Sequence, residues 1–367
     1  MQKEFQYRSF GILRFTLELM VIIQHFSSDI APEYIKRFIF PFAPGNIAVL
    51  CFFILSGFII CEAYHHNYKD RPYSYIQNRI MRIVPAYWAA LVLSILTHFI
   101  LYQYNEHLLS LEHHEISSSH FELHNLVQNI FAIVPPVQVH LTDIDYPFIP
   151  YAWALQTEMM FYLTVFLVGV AYPYLKYVTS WPQGYWLALA GYLGIAVGVC
   201  VQLQWLPKQL AYGSYFAFGG ALFFFISGHW KALFVLIPAF LQMLWHFHTS
   251  DAGDFMIIPA NRSGQLVIFI TIVVALVVLA TAQFQRVTVD KWVGELSYPL
   301  YLNHYVIAII VLNTACQFSN KFLLAGFVGS LALTWIMFWL VDRPLIEVRR
   351  LIRQQNSMMK SMVSSDP

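Results

Sequence analysis

The chain has 367 residues, of which 58% are hydrophobic and only 11% charged, and its mean hydropathy is +0.57. This composition excludes a soluble globular domain and predicts a polytopic membrane protein. The net charge of +1 gives no indication of a nucleic-acid partner or an acidic soluble partner. The four cysteines form no CxxC pair, so we expect neither a disulfide framework nor a zinc site.

The apolar stretches predict an all-α bundle that crosses the membrane about ten times. A helix needs about 20 mostly apolar residues to cross the hydrocarbon core. Ten stretches qualify, and they cover residues 9–28, 44–64, 84–104, 151–174, 183–204, 209–228, 232–249, 265–284, 293–314 and 322–341. The segment 125–140 is shorter and contains Pro135 and Pro136. We therefore expect it to be an interfacial or re-entrant piece.

The basic residues predict that both termini are cytoplasmic. With ten spans the termini share one side, and this orientation places most of the 21 Lys and Arg residues inside the cell. The long loop 105–150 has no Lys or Arg and becomes extracytoplasmic. Residues 1–343 are then a transmembrane domain of a multi-pass protein of the cell (inner) membrane. Residues 344–367 are a basic cytoplasmic tail that begins as a helix suited to the lipid surface.

The first span carries ionisable residues, which are costly in a membrane and are therefore candidate functional groups. Arg14 and His25 are eleven residues apart, so they lie on nearly the same helix face, with Glu18 one turn from Arg14. One interpretation is that Arg14 and Glu18 neutralise each other as an i,i+4 pair. His25 is either solvated near the membrane interface or functional.

Arg79 and Arg82 precede the third predicted span and can share one face of a helix. Two guanidinium groups at a membrane entrance suit phosphate recognition. The alternative is that they only anchor the span at the cytoplasmic side.

Two later spans also carry titratable groups. Glu158 has no basic residue in its own helix, so its carboxyl group must find a partner elsewhere or take up a proton. His304 shares a helix face with Tyr301, and it is either satisfied by a hydroxyl group inside the bundle or functional. A membrane enzyme and a proton-coupled transporter both remain open from these residues alone.

The loop 105–150 begins with a histidine-rich stretch. Its histidines are His107, His113, His114, His120 and His124. The i,i+4 spacing of His120 and His124 could hold a metal on a helix. We expect instead a hydrated surface and no metal.

Several motifs together resemble the acyltransferase-3 family of membrane proteins. They are Arg14 with His25, "FFILSGF" at 52–58, "NRIMRIVPAYW" at 78–88, "WALQTEMMFYL" at 153–163, "LSYPLYLNH" at 296–304 and "DRP" at 342–344. Members of this family transfer acyl groups, usually acetyl from acetyl-CoA, to extracytoplasmic carbohydrates. The chain is similar to the stand-alone type, which has no appended esterase-like domain.

The resemblance implies a membrane O-acyltransferase with acyl-CoA as donor substrate, no permanently bound cofactor and an extracytoplasmic glycan as acceptor. We expect His25 to be the general base, because an imidazole suits that task near neutral pH. Glu158 would orient a nitrogen of its ring or contact the acceptor, and Arg14 would meet the CoA arm or hold the lining of a path for it.

The resemblance also gives roles to the remaining candidates. It implies that Arg79 and Arg82 bind the CoA phosphates. Tyr301 and His304 would donate hydrogen bonds to the developing oxyanion, and Trp153 is a further candidate for substrate contact. The acyl group, the acceptor and the choice between direct transfer and an acyl-histidine stay open.

Overall fold

The structure is a computed structural model that describes residues 10–39, 43–69, 71–104, 108–109, 115–135, 144–179, 183–203, 212–249, 288–314 and 319–351. In these ranges the regular secondary structure is helical, and the one isolated bridge pairs Leu109 with Glu115. The prediction of an all-α membrane bundle is therefore confirmed.

Eleven α-helices follow one another in the described parts of the chain. They are α1 Gly11–Asp29, α2 Glu33–Ile39, α3 Pro44–Ala63, α4 Pro72–Tyr104, α5 Leu123–Phe131, α6 Ala152–Thr179, α7 Gln183–Gln202, α8 Gly213–Ile226, α9 Leu233–Thr249, α10 Thr288–Thr314 and α11 Asn320–Met337. A π-helical turn extends α3 over Tyr64–Tyr68, and another extends α11 over Phe338–Asp342. The chain then stays helical to residue 351.

Among the described residues, five helical segments are long and apolar enough to cross a membrane. They are Pro44–Tyr68, Pro72–Tyr104, Ala152–Tyr177, Thr288–Thr314 and Asn320–Leu351. Shorter apolar helices cover Trp186–Cys200, Gly213–Ile226 and Trp230–His246. The predicted span 265–284 lies outside the described residues, so the count of ten remains a prediction.

The helix that contains the third predicted span, 84–104, begins earlier, at Pro72. Proline is well tolerated in the first turn of a helix, where its missing N–H costs no hydrogen bond. The polar residues of this first part include Asn78 and Arg79, and both side chains are buried. They face the protein interior, so their polarity does not mark the end of the span.

Close helix contacts depend on glycine at two positions in the centre of the bundle. A Cβ atom on Gly57 of α3 would lie 2.2 Å from the carbonyl oxygen of Phe216, and one on Gly219 of α8 would lie 1.9 Å from that of Ile54. Lipid chains are as apolar as the side chains, so helices in a membrane associate mainly through such close packing. The glycine of the "FFILSGF" motif thus holds α3 against α8.

α1 is held to α10 by a buried carboxylate. The backbone N–H groups of Gly11 and Ile12 donate hydrogen bonds of 2.9 Å to the two oxygens of Asp290. A helix begins with N–H groups that have no partner in the helix, and an acidic side chain satisfies them while favouring the positive end of the helix dipole. This contact fixes the position of α1 along α10.

Part of the loop 105–150 packs onto the bundle. Asn129 of α5 donates a hydrogen bond of 2.9 Å to the carbonyl oxygen of Tyr146 and accepts one of 2.9 Å from the backbone N–H of Phe148. Asn125 accepts a hydrogen bond of 3.2 Å from the N–H of Tyr146. Ile116 is fully buried as well. We call residues 115–135 and 144–150 the cap. Most described residues of its histidine-rich part, 115–124, are exposed, as expected for a hydrated surface, whereas Ile116, Asn125 and Asn129 are buried.

The two histidines with metal-ligand spacing do not converge. The ring of His120 stacks on Tyr146 with centroids 5.0 Å apart, and its Nδ1 accepts a hydrogen bond from the N–H of Ser117. His124 instead contacts the carboxylate of Asp145. His107, His113 and His114 lie outside the described residues.

Candidate active site

A cavity of about 90 Å³ lies between α1, α3, α4, α6 and α10. Its charged and polar lining residues are Arg14, Glu18, Ser56, Arg79, Arg82, Glu158, Tyr162, Ser297, Tyr298 and Tyr301. A water molecule needs roughly 10–15 Å³ of such space, so the cavity could hold several waters or a small acyl group. Three guanidinium groups face two carboxyl groups, so the excess charge is positive whether or not the acids are ionised.

Arg14 and Glu18 bring charge into this cavity from α1. They are one turn apart on the helix, and each interacts electrostatically with the other. The side chain of Glu18 is 1% exposed, and among the described residues its Oε1 has no hydrogen-bond partner. The predicted pair therefore lies together, but it does not satisfy the carboxyl group completely.

Arg79 is buried between two aromatic rings. Its guanidinium carbon lies 5.5 Å from the ring centre of Tyr75 and 5.3 Å from that of Tyr162. Ring faces attract cations, particularly where water is excluded. The Nε of Arg79 has no hydrogen-bond partner among the described residues. The cavity therefore presents a cation whose hydrogen-bonding capacity is not filled.

Glu158 of α6 is held by two hydroxyl groups. Ser56 of α3 donates a hydrogen bond of 3.1 Å and Tyr162 one of 2.5 Å, both to Oε1. Ser56 belongs to the "FFILSGF" motif, in which Gly57 allows the close approach to α8. The motif thus combines one residue for packing with one that holds the acidic group of the cavity.

His25 meets His304 across the interface between α1 and α10. Its Nδ1 lies 3.0 Å from the Nε2 of His304, and the Nδ1 of His304 lies 3.2 Å from the carbonyl oxygen of Leu300. The ring of Tyr151 stacks on His25 with centroids 3.8 Å apart and planes inclined by 10°. Neither histidine lines the cavity, but Tyr301, one turn before His304 on α10, does.

Tyr301 connects the cavity wall to this stack. Its hydroxyl group donates a hydrogen bond of 2.6 Å to the carbonyl oxygen of Tyr151. Trp153, two residues further on, packs against Phe53 and Tyr212 with ring centroids 6.2 and 5.6 Å away. The start of α6 therefore contributes an aromatic wall beside the cavity.

The structure groups the predicted site residues into two adjoining sets. Arg14, Arg79, Arg82, Glu158 and Tyr301 line the cavity, whereas His25 and His304 form a pair next to it.

Two predicted roles do not match the observed hydrogen bonds. The ring nitrogen of His25 pairs with His304 and not with Glu158, whose bonds go to Ser56 and Tyr162. The donors of Tyr301 and His304 point to backbone carbonyl groups. The roles of Tyr301 and His304 at an oxyanion therefore stay predictions.

Sequence reasoning missed Tyr151, Tyr162 and Ser56. An aromatic residue at the start of an apolar stretch is typical of the membrane interface, so Tyr151 carried no distinct signal. Tyr162 lies one turn from Glu158, and the i,i+4 rule could have identified it. Ser56 could be found only through the motif that contains it.

The family model described as an acyltransferase domain matches residues 7–340. Comparison with the curated proteins and with the solved structures gives no match. The matched range includes every residue of the cavity and the histidine pair. The chain thus belongs to the acyltransferase-3 family and is a membrane acyltransferase.

Proposed function

We propose that the protein transfers an acyl group, acetyl in the simplest case, from cytoplasmic acyl-CoA to a hydroxyl group of an extracytoplasmic glycan. The observation that carries this proposal is that one cavity is lined by Arg79, Arg82, Glu158 and Tyr301, and that Tyr301 lies one turn from His304 of the histidine pair. It offers a place for an anionic donor and a base within one continuous part of the bundle.

The donor side is supported by the surroundings of Arg79 and Arg82. A charged residue in a membrane is expected to find a partner, and Nε of Arg79 lacks a hydrogen-bond acceptor in the described structure. Phosphate groups fit the guanidinium group well. Both arginines lie in the first three turns of α4, at the end that the distribution of basic residues assigns to the cytoplasm.

The acceptor side is assigned to His25. An alcohol is a poor nucleophile unless a base removes its proton, and imidazole acts as such a base near neutral pH. The second oxygen of Glu158 is then available to the acceptor or to the CoA arm, because the two observed hydrogen bonds go to Oε1. Trp153 would contact the substrate from the aromatic wall, and Arg14 the CoA arm.

The reaction needs no group besides the two substrates. The hydroxyl oxygen attacks the thioester carbonyl carbon while His25 takes the hydroxyl proton. The new C–O bond forms, the C–S bond breaks, and the thiolate of CoA leaves. His25 then returns the proton to the thiolate, so that the base is restored. Direct transfer is preferred, because no Ser or Cys of the chain has the context of an activated nucleophile.

Inverted membrane vesicles test this function. Radiolabelled acetyl-CoA is added outside the vesicles, on the side that was cytoplasmic. We expect covalent label on luminal carbohydrate, and we expect His25→Ala to abolish it while the protein still accumulates in the membrane. Uptake of an intact solute without covalent label would favour a proton-coupled transporter. Unchanged labelling in His25→Ala would contradict the role of His25.

The acyl group and the acceptor are identified in a second experiment. Mass spectra of the surface glycans are compared between cells with and without the protein. A difference equal to one acetyl group identifies acetyl-CoA as the donor, whereas a difference of one succinyl group identifies succinyl-CoA. The fragment that carries this mass difference identifies the acceptor.

A further inference from the structure

We infer that His304 is the positioning residue of the base: it fixes the tautomer of His25, and Tyr151 fixes the plane of the ring. This inference rests on the proposed function, in which His25 removes a proton from the acceptor. It replaces the expectation that Glu158 orients His25, and it gives His304 a role other than contact with an oxyanion.

The argument begins at a backbone carbonyl group. The oxygen of Leu300 can only accept a hydrogen bond, so the Nδ1 of neutral His304, 3.2 Å away, carries the hydrogen. The Nε2 of His304 is then unprotonated and accepts. The Nδ1 of His25, 3.0 Å from it, must therefore donate.

This sequence of hydrogen bonds determines the state of the remaining nitrogen. In neutral His25 only one ring nitrogen carries a hydrogen, and Nδ1 is that nitrogen. The lone pair is therefore on Nε2, which has no hydrogen-bond partner in the described part of the chain. A base must present such a lone pair, so the contact with His304 selects the reactive tautomer.

Tyr151 determines the orientation of the imidazole plane. Its ring is nearly parallel to that of His25, at 10° and 3.8 Å, and to that of His304, at 9° and 5.1 Å. Rotation of the His25 ring about its Cβ–Cγ bond would break this stack together with the hydrogen bond to His304. When His25 takes a proton, the face of Tyr151 also attracts the positive ring.

Tyr151 is itself held in place. Tyr301 donates a hydrogen bond to its carbonyl oxygen, and the cap ends at the preceding residue, with Asn125 and Asn129 binding the backbone at Tyr146 and Phe148. The stack is thus supported from α10 and from the cap. The observed hydrogen bonds of Glu158 go to Ser56 and Tyr162 and not to His25.

Two variants of His304 distinguish its role as a hydrogen-bond acceptor for His25 from the packing of its ring. His304→Phe keeps an aromatic ring but removes the acceptor, and we expect kcat to fall roughly 10²- to 10⁴-fold, the range for loss of an oriented base. His304→Gln carries an amide oxygen near the position of Nε2, and we expect it to recover at least about tenfold of that loss. KM for acyl-CoA should change little in both variants, because Arg79 and Arg82 are untouched.

Nitrogen NMR of protein labelled with ¹⁵N-histidine shows the tautomer of His25 directly, so this test needs no activity assay. The His25 signals are those that disappear in His25→Gln. We expect a protonated Nδ1 and an unprotonated Nε2 in the wild-type protein, and exchange between tautomers in His304→Phe. A wild-type His25 with hydrogen on Nε2 would overturn the inference, even if no His304 variant folds.

The two proposals fail in distinguishable ways. If the tautomer is as expected but the vesicles show no acyl transfer, the function is wrong and the histidine pair stands. If transfer requires His25 while His304→Phe is as active as the wild type, the function stands and the inference is wrong.

Discussion

Arg79 has surroundings that are difficult to explain without an anionic ligand. Placing a charged side chain within the membrane costs about 2.5–3.5 kcal/mol or more. Contact with an aromatic face provides about 2 kcal/mol where water is excluded, and Arg79 has two such faces, from Tyr75 and Tyr162. The rings hold the cation, but they cannot accept the hydrogen bond of Nε. A phosphate oxygen would.

Two substitutions of Tyr162 separate its ring from its hydroxyl group. Tyr162→Leu removes the face over Arg79, and we expect KM for acyl-CoA to rise roughly 10- to 30-fold, equivalent to about 1.4–2 kcal/mol. Tyr162→Phe retains the face and loses only the hydrogen bond to Glu158, so KM should stay near the wild-type value. Steady-state kinetics in detergent or nanodiscs measure both. Equal KM values for the two variants would show that the ring does not hold Arg79 for the donor.

The single residues of the site were largely predictable, but their partners were not. Arg14 and Glu158 stand out because an ionisable group in an apolar stretch is rare and costly, and Arg79 and Arg82 stand out as two guanidinium groups next to such a stretch. All four line the cavity. Local spacing shows neighbours within one helix. It cannot show that His25 meets His304, 279 positions away, because that contact depends on how two helices are aligned.

Two contacts, one near each end of the α1–α10 interface, show how α1 is aligned with α10. The Gly11–Asp290 contact and the His25–His304 contact are both separated by 279 positions. The helices therefore run in the same direction and stay in step over fourteen residues, roughly 21 Å at 1.5 Å per residue. Asp290 thus determines from a distance which residue of α10 meets His25.

Gly11→Ala tests this alignment. The added Cβ would lie 1.7 Å from the carbonyl oxygen of Asp290, so the start of α1 must move away from α10. We expect acyl transfer to fall at least about tenfold, because misplacing a catalytic group by about 1 Å can cost 10²-fold. Activity of the purified variant in nanodiscs is the measurement.

Gly329→Ala on α11 is the matched control for this variant. Its added Cβ would meet the side chain of Ile307, whose nearest atom is the Cγ2 methyl carbon at 3.1 Å, and a shift of a few tenths of an ångström in that side chain relieves the contact. We expect near wild-type activity. If Gly11→Ala is as active as this control, the contact at Asp290 does not set the position of His25.

The cap gives a second test of how one segment positions the site. Asn129→Ala removes the acceptor of the Phe148 N–H group and one of the two donors to the Tyr146 carbonyl group, of which Asn125 remains. A buried N–H group left without a partner costs about 1–3 kcal/mol, so we expect a clear fall in thermal stability and a loss of activity as Tyr151 loosens. His124→Asn changes an exposed side chain of the same cap and should alter neither. An unchanged melting temperature in Asn129→Ala would show that the hydrogen bonds of Asn129 do not stabilise the fold.

Sequence patterns could not reveal this cap. Its stretch is rich in His, Glu and Ser, which is typical of a solvated loop, and its buried apolar residues, such as Ile116 and Phe148, follow no helical period. Two asparagines that bind backbone groups look like ordinary turn residues in the sequence.

The early start of α4 was hidden for a related reason, since its polar residues face a cavity that only the assembled bundle creates.

For the bundle as a whole, composition and apolar stretches were sufficient. They predicted an all-α membrane protein, and nine of the ten stretches coincide with α1, α3, α4 and α6–α11. They could not predict a cavity, because a cavity depends on which faces of α1, α3, α4, α6 and α10 meet. The polar residues on those faces were the only trace of it in the sequence.

The direction of transfer depends on the orientation of this bundle, and cysteine labelling tests it. All four native cysteines are first replaced by alanine, namely Cys51, Cys61, Cys200 and Cys316. The acyl transfer activity of this cysteine-free protein is checked before new cysteines are introduced. Ser118→Cys lies on the exposed surface of the cap, and Asn67→Cys on the exposed turn after α3. A membrane-impermeant maleimide should label Ser118→Cys in intact cells and Asn67→Cys only after the membrane is opened.

The reverse labelling pattern would contradict the predicted orientation and also the binding of cytoplasmic acyl-CoA. Asn67 follows α3 at the same end of the bundle as the start of α4 with Arg79 and Arg82. If that end faced outward, the arginines could not meet cytoplasmic acyl-CoA. Labelling of Asn67→Cys from outside would therefore remove the donor from the proposed reaction while leaving the cavity and the histidine pair as they are.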